Sequence, residues 1–162
     1  MWLSQIRNSN DVPLFKKIDN NVWSDLSAGS NHLLVLKPDG TLWSWGNNGN
    51  GELGIGTNNS SKTLVQVGTD NDWVKISAGS AFSIAQKKDN SIWKWGANSN
   101  NINALSPKKI ADSMNFKSLS TSMHTVGVKV DGTLWTLGRD NGTGQILMTE
   151  LFLNKLEMIQ IG

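Results

Sequence analysis

The 162-residue sequence contains no cysteine and no tyrosine, and it has three prolines. Without thiols the chain can form no disulfide, no cysteine nucleophile and no thiolate-based metal site. No stretch approaches the ~20 consecutive apolar residues that a membrane-spanning helix needs, and the N-terminus shows no apolar run followed by a small-residue cleavage site. We therefore expect no membrane partner and, by default, a cytoplasmic protein.

A strong excess of one charge is also absent, because 15 lysines and arginines stand against 13 acidic residues. The sequence pI of ≈ 8.9 comes from lysines that are spread along the chain and interspersed with aspartates. A nucleic-acid-binding surface would instead concentrate its positive charge. The charge pattern therefore argues against nucleic acid as a partner, and 38% hydrophobic residues are enough for a folded core.

The abundant residues favour short strands joined by turns. The chain has 8 tryptophans and 16 glycines, and aromatic residues are common in strands whereas glycine is common in turns. One segment recurs at intervals of roughly 40 to 50 residues, a spacing typical of propeller blades. Its copies are Trp23 to Gly29, Trp73 to Gly79 and, more weakly, Phe116 to Ser122. These repeats predict an all-β protein.

A second repeated segment follows the first and predicts a β-hairpin. Its copies run from Asp39 to Gly46, from Asp89 to Gly96 and from Asp131 to Gly138. Gly40 and Gly132 are expected at the turn position that needs a positive φ, and Asn90 replaces them in the middle copy. Strand alternation places Trp43 and Trp45 on one face, where we expect them to fill the space between adjacent sheets.

The run from Trp45 to Gly56, WGNNGNGELGIG, resembles the Gly-Asn-x-x-Gly-Gln-Leu-Gly-x-Gly motif of the regulator of chromosome condensation (RCC1) repeat family. Matching elements extend over nearly all of residues 13 to 162 and weaken after the first unit. The resemblance implies a β-propeller, whose complete ring usually has about seven blades. The physics of the repeats agrees, because a single four-stranded unit cannot bury both of its faces without neighbours.

We predict one RCC1-like repeat domain over residues 1-162, forming an arc of about three and a half four-stranded blades rather than a closed ring. Residues 1-18 would form a half blade, and the three full blades would cover 19-68, 69-111 and 112-162. The uncovered ends allow two explanations, namely a longer chain that supplies the remaining blades or assembly into a homo-oligomer. The sequence favours the first.

The motifs that could carry chemistry have structural explanations. Gly49 to Gly54 matches the glycine pattern of dinucleotide-binding loops, but the turn-rich sequence after it cannot begin the helix that binds a pyrophosphate. His32 and His124 occupy the repeat position of Phe82, which indicates packing rather than metal binding. No nucleophile is paired with a base. We therefore expect no catalytic residue, no metal site and no cofactor.

These observations predict a non-enzymatic module that binds a protein partner through its loops. The family resemblance implies two alternatives, a guanine-nucleotide exchange factor for a small GTPase or an inhibitor of a hydrolase. None of the residues responsible for exchange can be transferred to this chain, and the partner itself is not identified. The candidate contact residues lie in the polar loops after the hairpins: Asn47, Asn48, Asn50, Glu52, Asn98, Asn100, Arg139 and Asp140.

Overall fold

A computed structural model describes residues 17–97, 103–139 and 146–150. Within these residues every regular element is a strand, so the predicted all-β class is confirmed. The predicted half blade at residues 1-18 lies outside the described part except for its last two residues. The strands are β1 (Asp25–Ala28), β2 (His32–Leu36), β3 (Leu42–Gly46), β4 (Ser61–Gln66), β5 (Trp73–Ala78), β6 (Phe82–Lys87), β7 (Ile92–Gly96), β8 (Ala104–Ala111), β9 (Phe116–Thr121), β10 (Thr125–Lys129), β11 (Leu134–Arg139) and β12 (Ile146–Glu150).

The strands form three antiparallel four-stranded sheets, each built from four consecutive strands paired in chain order. We call β1–β4 blade 1, β5–β8 blade 2 and β9–β12 blade 3. Equivalent registers recur, because His32 pairs with Gly46 in blade 1 and Phe82 pairs with Gly96 in blade 2. The described sheets remain separate and do not close into a ring.

The hairpin turns confirm the predicted backbone conformations. The φ angles of Gly40 and Gly132 are 84° and 86°, and Asn90 adopts 66° in the middle blade. The aspartate that opens each turn accepts hydrogen bonds from the residue two positions later, as Asp39 Oδ1 does from the amide and hydroxyl of Thr41 at 2.9 and 2.7 Å. These bonds lower the pKa of the Asp39 carboxyl.

The hydrophobic core lies between the blades. Leu34 and Leu42 of blade 1 pack with Trp73, Ala85 and Trp95 of blade 2. The second cluster joins Ile84 and Ile92 of blade 2 to apolar residues of blade 3, chiefly Phe116 and Leu137. Each blade therefore depends on its neighbours for burial, as expected for a repeat that cannot form a core alone.

The hairpin tryptophans divide by blade: Trp93 and Trp95 pack in the core between blades 1 and 2, as expected, whereas Trp43 and Trp45 are half-buried on a face of blade 1 that meets no other described sheet. Trp95 is buried between blades, whereas Trp43 and Trp93 are half-buried. The Trp43 indole donates to Thr41 Oγ1 at 3.1 Å, and the ammonium of Lys37 lies 4.6 Å from a Trp43 ring centroid. Trp43 therefore stabilises its own turn, and its partial exposure follows from its place near the turn end of the hairpin.

Candidate interaction loop

The segment from Asn47 to Ser60 connects β3 to β4, and we call it the first loop. Its central anchor is Asn48, whose side chain is fully buried. Asn48 Oδ1 accepts a hydrogen bond from the Leu53 amide at 2.8 Å, and its Nδ2 donates to the carbonyls of Thr57 at 2.8 Å and Asn59 at 3.0 Å. One amide side chain thus holds three points of the loop together.

Glu52 attaches the first loop to blade 2. Its carbonyl oxygen accepts hydrogen bonds from Trp95 Nε1 and Ser83 Oγ, each at 2.8 Å. Its carboxylate accepts from the main-chain and side-chain nitrogens of Asn50 at 2.9 and 3.0 Å. Gly54 approaches so closely that an added Cβ would lie 2.6 Å from Trp95 Nε1. The loop is therefore a fixed part of the interface between the blades.

His32 and Ser83 form a buried pair beneath the loop, with Nε2 and Oγ 2.9 Å apart. The single proton of Ser83 is donated to the Glu52 carbonyl, so His32 Nε2 acts as the donor. Burial lowers the pKa of His32, although the charge of Glu52 opposes this shift. The pairing resembles a nucleophile and its base, but Ser83 has no exposed surface and its proton is engaged, so the geometry is structural.

The structure changes the predicted contact set in two places. Asn48 and Glu52 are 0% and 2% exposed, so their side chains support the loop and cannot reach a partner. Asn47 and Asn50 are half-buried. Arg139 ends β11, and nothing is described of its side chain. Asn98, Asn100 and Asp140 lie outside the described residues, so the first loop has no described equivalent in the other blades with which it could be compared.

The exposed surface of the loop is at Gly49 and residues 56–60, which were not among the predicted contacts. Strand connectivity places the turns 29–31, 79–81 and 122–124 at the same end of the blades, and we call this end the loop end. Its exposed side chains in blade 1 are uncharged and polar: Ser30, Asn31, Thr57, Asn58, Asn59 and Ser60. The turn-rich composition after Gly56 is the sequence signal that would have identified this stretch.

Lys87 lies at the opposite end of the blades, and its charge is engaged within the fold. Lys87 Nζ lies 2.7 Å from Asp70 and 3.1 Å from Asp72, and it is 4.7 Å from ring centroids of Trp73 and Trp93. Burial acts to lower the pKa of Lys87, but the two carboxylates outweigh it and raise the pKa above the ordinary value.

Among the described residues no cluster of three or more His, Asp or Glu side chains could hold a metal, and no helix could cross a membrane.

Three four-stranded antiparallel sheets in chain order, packed face to face, define an arc of a β-propeller. Two family models, both described as the regulator of chromosome condensation (RCC1) repeat, match residues 39–86 and 23–52. Residues 23–86 therefore match RCC1-type repeats, and the predicted resemblance is confirmed over this part of the chain. A comparison with curated protein sequences found no significant match.

Solved structures support the fold. Prp20p from Saccharomyces cerevisiae has a TM-score of 0.67 and 22% identity over 88% of this chain and 41% of its own, and human WBSCR16 has a TM-score of 0.66 and 16% identity over 82% and 39%. The N-terminal domain of Nup159 has a TM-score of 0.51 and 14% identity over 98% and 39%. This chain spans about two fifths of their lengths, and these identities establish the fold alone.

Proposed function

We propose that this protein is a non-enzymatic binding module that holds a protein partner at the loop end of its blades. The observation that carries the proposal is the construction of the first loop. Buried Asn48 and Glu52 fix its backbone, while residues 56–60 are exposed. A rigid loop loses little conformational entropy when it binds, so it can provide affinity and specificity with few contacts.

The chemistry of the loop end fits a protein better than a nucleic acid. Its exposed blade 1 side chains are hydroxyls and amides, which donate and accept hydrogen bonds without charge. Nucleic-acid binding depends on lysine and arginine contacts to phosphates. The structure of Prp20p was described together with its binding to Gsp1p and histones, and yeast Prp20 was also solved bound to Kap60. These neighbours support protein partners for this fold.

The test uses the intact chain as bait and then quantifies the interaction with the purified partner. Asn58→Arg alters an exposed residue of the first loop and should weaken the complex at least about tenfold, since it places a long charged group at the contact. Asn115→Arg makes the same change at an exposed position at the other end of the blades and should leave the affinity unchanged. Isothermal titration calorimetry measures both.

Stoichiometric binding that depends on Asn58 would support the proposal. Equal affinities of the two variants would place the contact elsewhere and overturn it. If the partner is a GTPase, nucleotide release is followed at substoichiometric amounts of this protein. Acceleration of that release would establish exchange activity and contradict a purely binding role.

A further inference from the structure

A chain of hydrogen bonds joins blade 1, blade 2 and the first loop at one buried point. His32 of β2 donates from Nε2 to Ser83 Oγ of β6 at 2.9 Å, and Ser83 donates to the Glu52 carbonyl oxygen at 2.8 Å. The Trp95 indole donates to the same carbonyl at 2.8 Å. His32, Ser83 and Glu52 are 5%, 0% and 2% exposed, and we call these three residues the junction. The junction is therefore closed to solvent.

The other ring nitrogen of His32 lies in a different environment. Nδ1 is buried and has no hydrogen-bond partner among the described residues. A Cβ added to Gly29 would lie 2.9 Å from Nδ1 and 2.6 Å from Cε1, so the backbone of the turn 29–31 packs against this edge of the ring. A neutral ring that donates from Nε2 carries no hydrogen at Nδ1. A protonated ring would instead bury a charged N–H group without an acceptor.

The Glu52 carboxylate is the charged group that acts on His32 within the described part of the chain. The turns 29–31 and 79–81 and strand β3 contain no titratable side chain. Asp25 of β1, Lys75 of β5 and Lys87 of β6 lie in the halves of their strands that are farther from these turns. The charge of Glu52 raises the pKa of His32, but burial has the larger effect and lowers the pKa below its ordinary value of 6.5.

The contact between blades 2 and 3 has no ionisable group at the equivalent position. Phe82 occupies the place of His32, and Thr125 occupies the place of Ser83. A phenyl ring can neither donate a hydrogen bond nor gain a proton. Of these two contacts between blades, the one that holds the first loop is therefore the one whose closure depends on the protonation of a histidine.

The elements that cover His32 also hold the first loop. The Asn47 amide, at the start of the loop, donates to the Asn31 carbonyl at 2.8 Å, so the turn 29–31 is bonded to the loop. The Glu52 carbonyl attaches the middle of the loop to blade 2. A charged ring can be solvated only if one of these covers separates from it. Either movement breaks a hydrogen bond that fixes the loop.

We propose that His32 is a positioning residue, which fixes the first loop while its ring is neutral and releases the loop from blade 2 when Nδ1 gains a proton. The open form can solvate the charged ring and the closed junction cannot. Each pH unit below 6.5 therefore favours opening by up to about tenfold, until the ring of the closed form also gains its proton. The consequence for binding rests on the proposed function: a partner held by residues 56–60 should bind more weakly in acid.

Two indole protons of blade 2 provide matched probes, which NMR observes in isotope-labelled protein. Trp95 Nε1 donates to the Glu52 carbonyl, whereas Trp93 Nε1 donates to Ser91 Oγ at 2.8 Å and makes no hydrogen bond to the loop. Between about pH 7 and 5.5, hydrogen exchange at Trp95 should accelerate at least about fivefold relative to Trp93, because opening exposes the first proton and not the second.

Two histidine variants separate titration from structure. His32→Gln retains an N–H donor for Ser83 but cannot titrate in this range, so its exchange ratio should not change with pH. His124→Gln removes the other histidine and should behave like the wild-type chain. A wild-type ratio that is independent of pH, or one that changes equally in His32→Gln, would overturn the proposal. Equal acceleration at both indoles would also overturn it, because the whole fold would then open rather than the loop.

The affinity for the purified partner is measured separately at the same two pH values. It should fall in acid for the wild-type chain and stay constant for His32→Gln. Opening without any change in affinity would support the switch and place the partner contact elsewhere. A loss of affinity in Asn58→Arg without opening in acid would support the proposed function and reject the switch.

Discussion

Blades 1 and 2 carry closely similar sequences but differ in their surroundings. Blade 2 is packed on both faces in the described structure, whereas blade 1 contacts another described blade through the face that carries Leu34 and Leu42. Trp95 of blade 2 is fully buried and hydrogen-bonded, while the equivalent Trp45 is half-buried and its indole nitrogen has no hydrogen-bond partner among the described residues. The difference teaches that burial at a repeat position is determined by the neighbouring blade and not by the residue alone.

The largest expected effect separates the two equivalent tryptophans. Trp95→Ala should reduce the free energy of unfolding by about 3–5 kcal/mol, because it opens a cavity between blades and leaves the Glu52 carbonyl with fewer donors. Trp45→Ala should cost less, about 1–2 kcal/mol, since its side chain is partly exposed in the monomer. Urea unfolding at a fixed low protein concentration measures both. Equal losses would show that the neighbouring blade contributes little at this position.

The turn glycines should show the same contrast between a covered and an open position. Gly40→Ala should cost at least about 2 kcal/mol, because it combines a positive φ with a Cβ that would collide with the Asn71 carbonyl. Gly132→Ala incurs the φ strain alone, about 1 kcal/mol. Thermal or urea unfolding of the two variants provides the comparison. If alanine is tolerated equally at both sites, the close approach of the following segment at Gly40 is not energetically important.

The first loop should depend on its buried amide more than on its exposed ones. Asn48→Ala removes three hydrogen bonds from a buried site and should cost about 1–3 kcal/mol. Asn58→Ala, in the exposed part of the same loop, should change stability by less than about 0.5 kcal/mol. Hydrogen exchange of the Leu53 amide, which donates to Asn48, gives a local readout. Unchanged protection in Asn48→Ala would contradict the anchoring role.

The smallest effect concerns pH and compares blade 1 with blade 2 at the position of His32 and Phe82. Because burial lowers the folded-state pKa of His32, the unfolded chain binds this proton at a higher pH than the folded chain. The contribution of neutral His32 to stability is therefore fully present above pH 6.5, its ordinary value, and is lost as the pH falls toward the lower folded pKa.

His32→Phe copies the residue of blade 2 and should remove this part of the pH dependence in urea unfolding. His124→Phe is the control, since it retains His32 and should keep the slope. The interpretation fails if His32→Phe unfolds with the same dependence on pH as the wild-type chain between about pH 5 and 7.

The hairpins and the repeat class were predictable because they depend on local features. Glycine and asparagine favour a positive φ, so Gly40 and Asn90 indicate the turn conformation directly. Side chains alternate between the two faces of a strand, so the strand pattern can be read from every second residue. Which side chains of the candidate loop face solvent was not predictable in this way. The loop was located correctly in the chain, but nothing local distinguishes Asn48, which faces inward, from Asn58, which faces solvent.

The sequence by itself determined the repeat, the strands and the turns, since hydrogen bonding within one blade involves residues that are close in the chain. Tertiary structure alone decided which side chains are covered, because that depends on contacts between residues far apart in the chain, such as Trp95 with the carbonyl of Glu52, which are 43 positions apart. Tryptophan at the same repeat position is then fully buried and hydrogen-bonded in blade 2, as Trp95, and half-buried in blade 1, as Trp45, with no hydrogen-bond partner for the Trp45 indole among the described residues. Burial is a property of the assembled faces, and no local pattern encodes it.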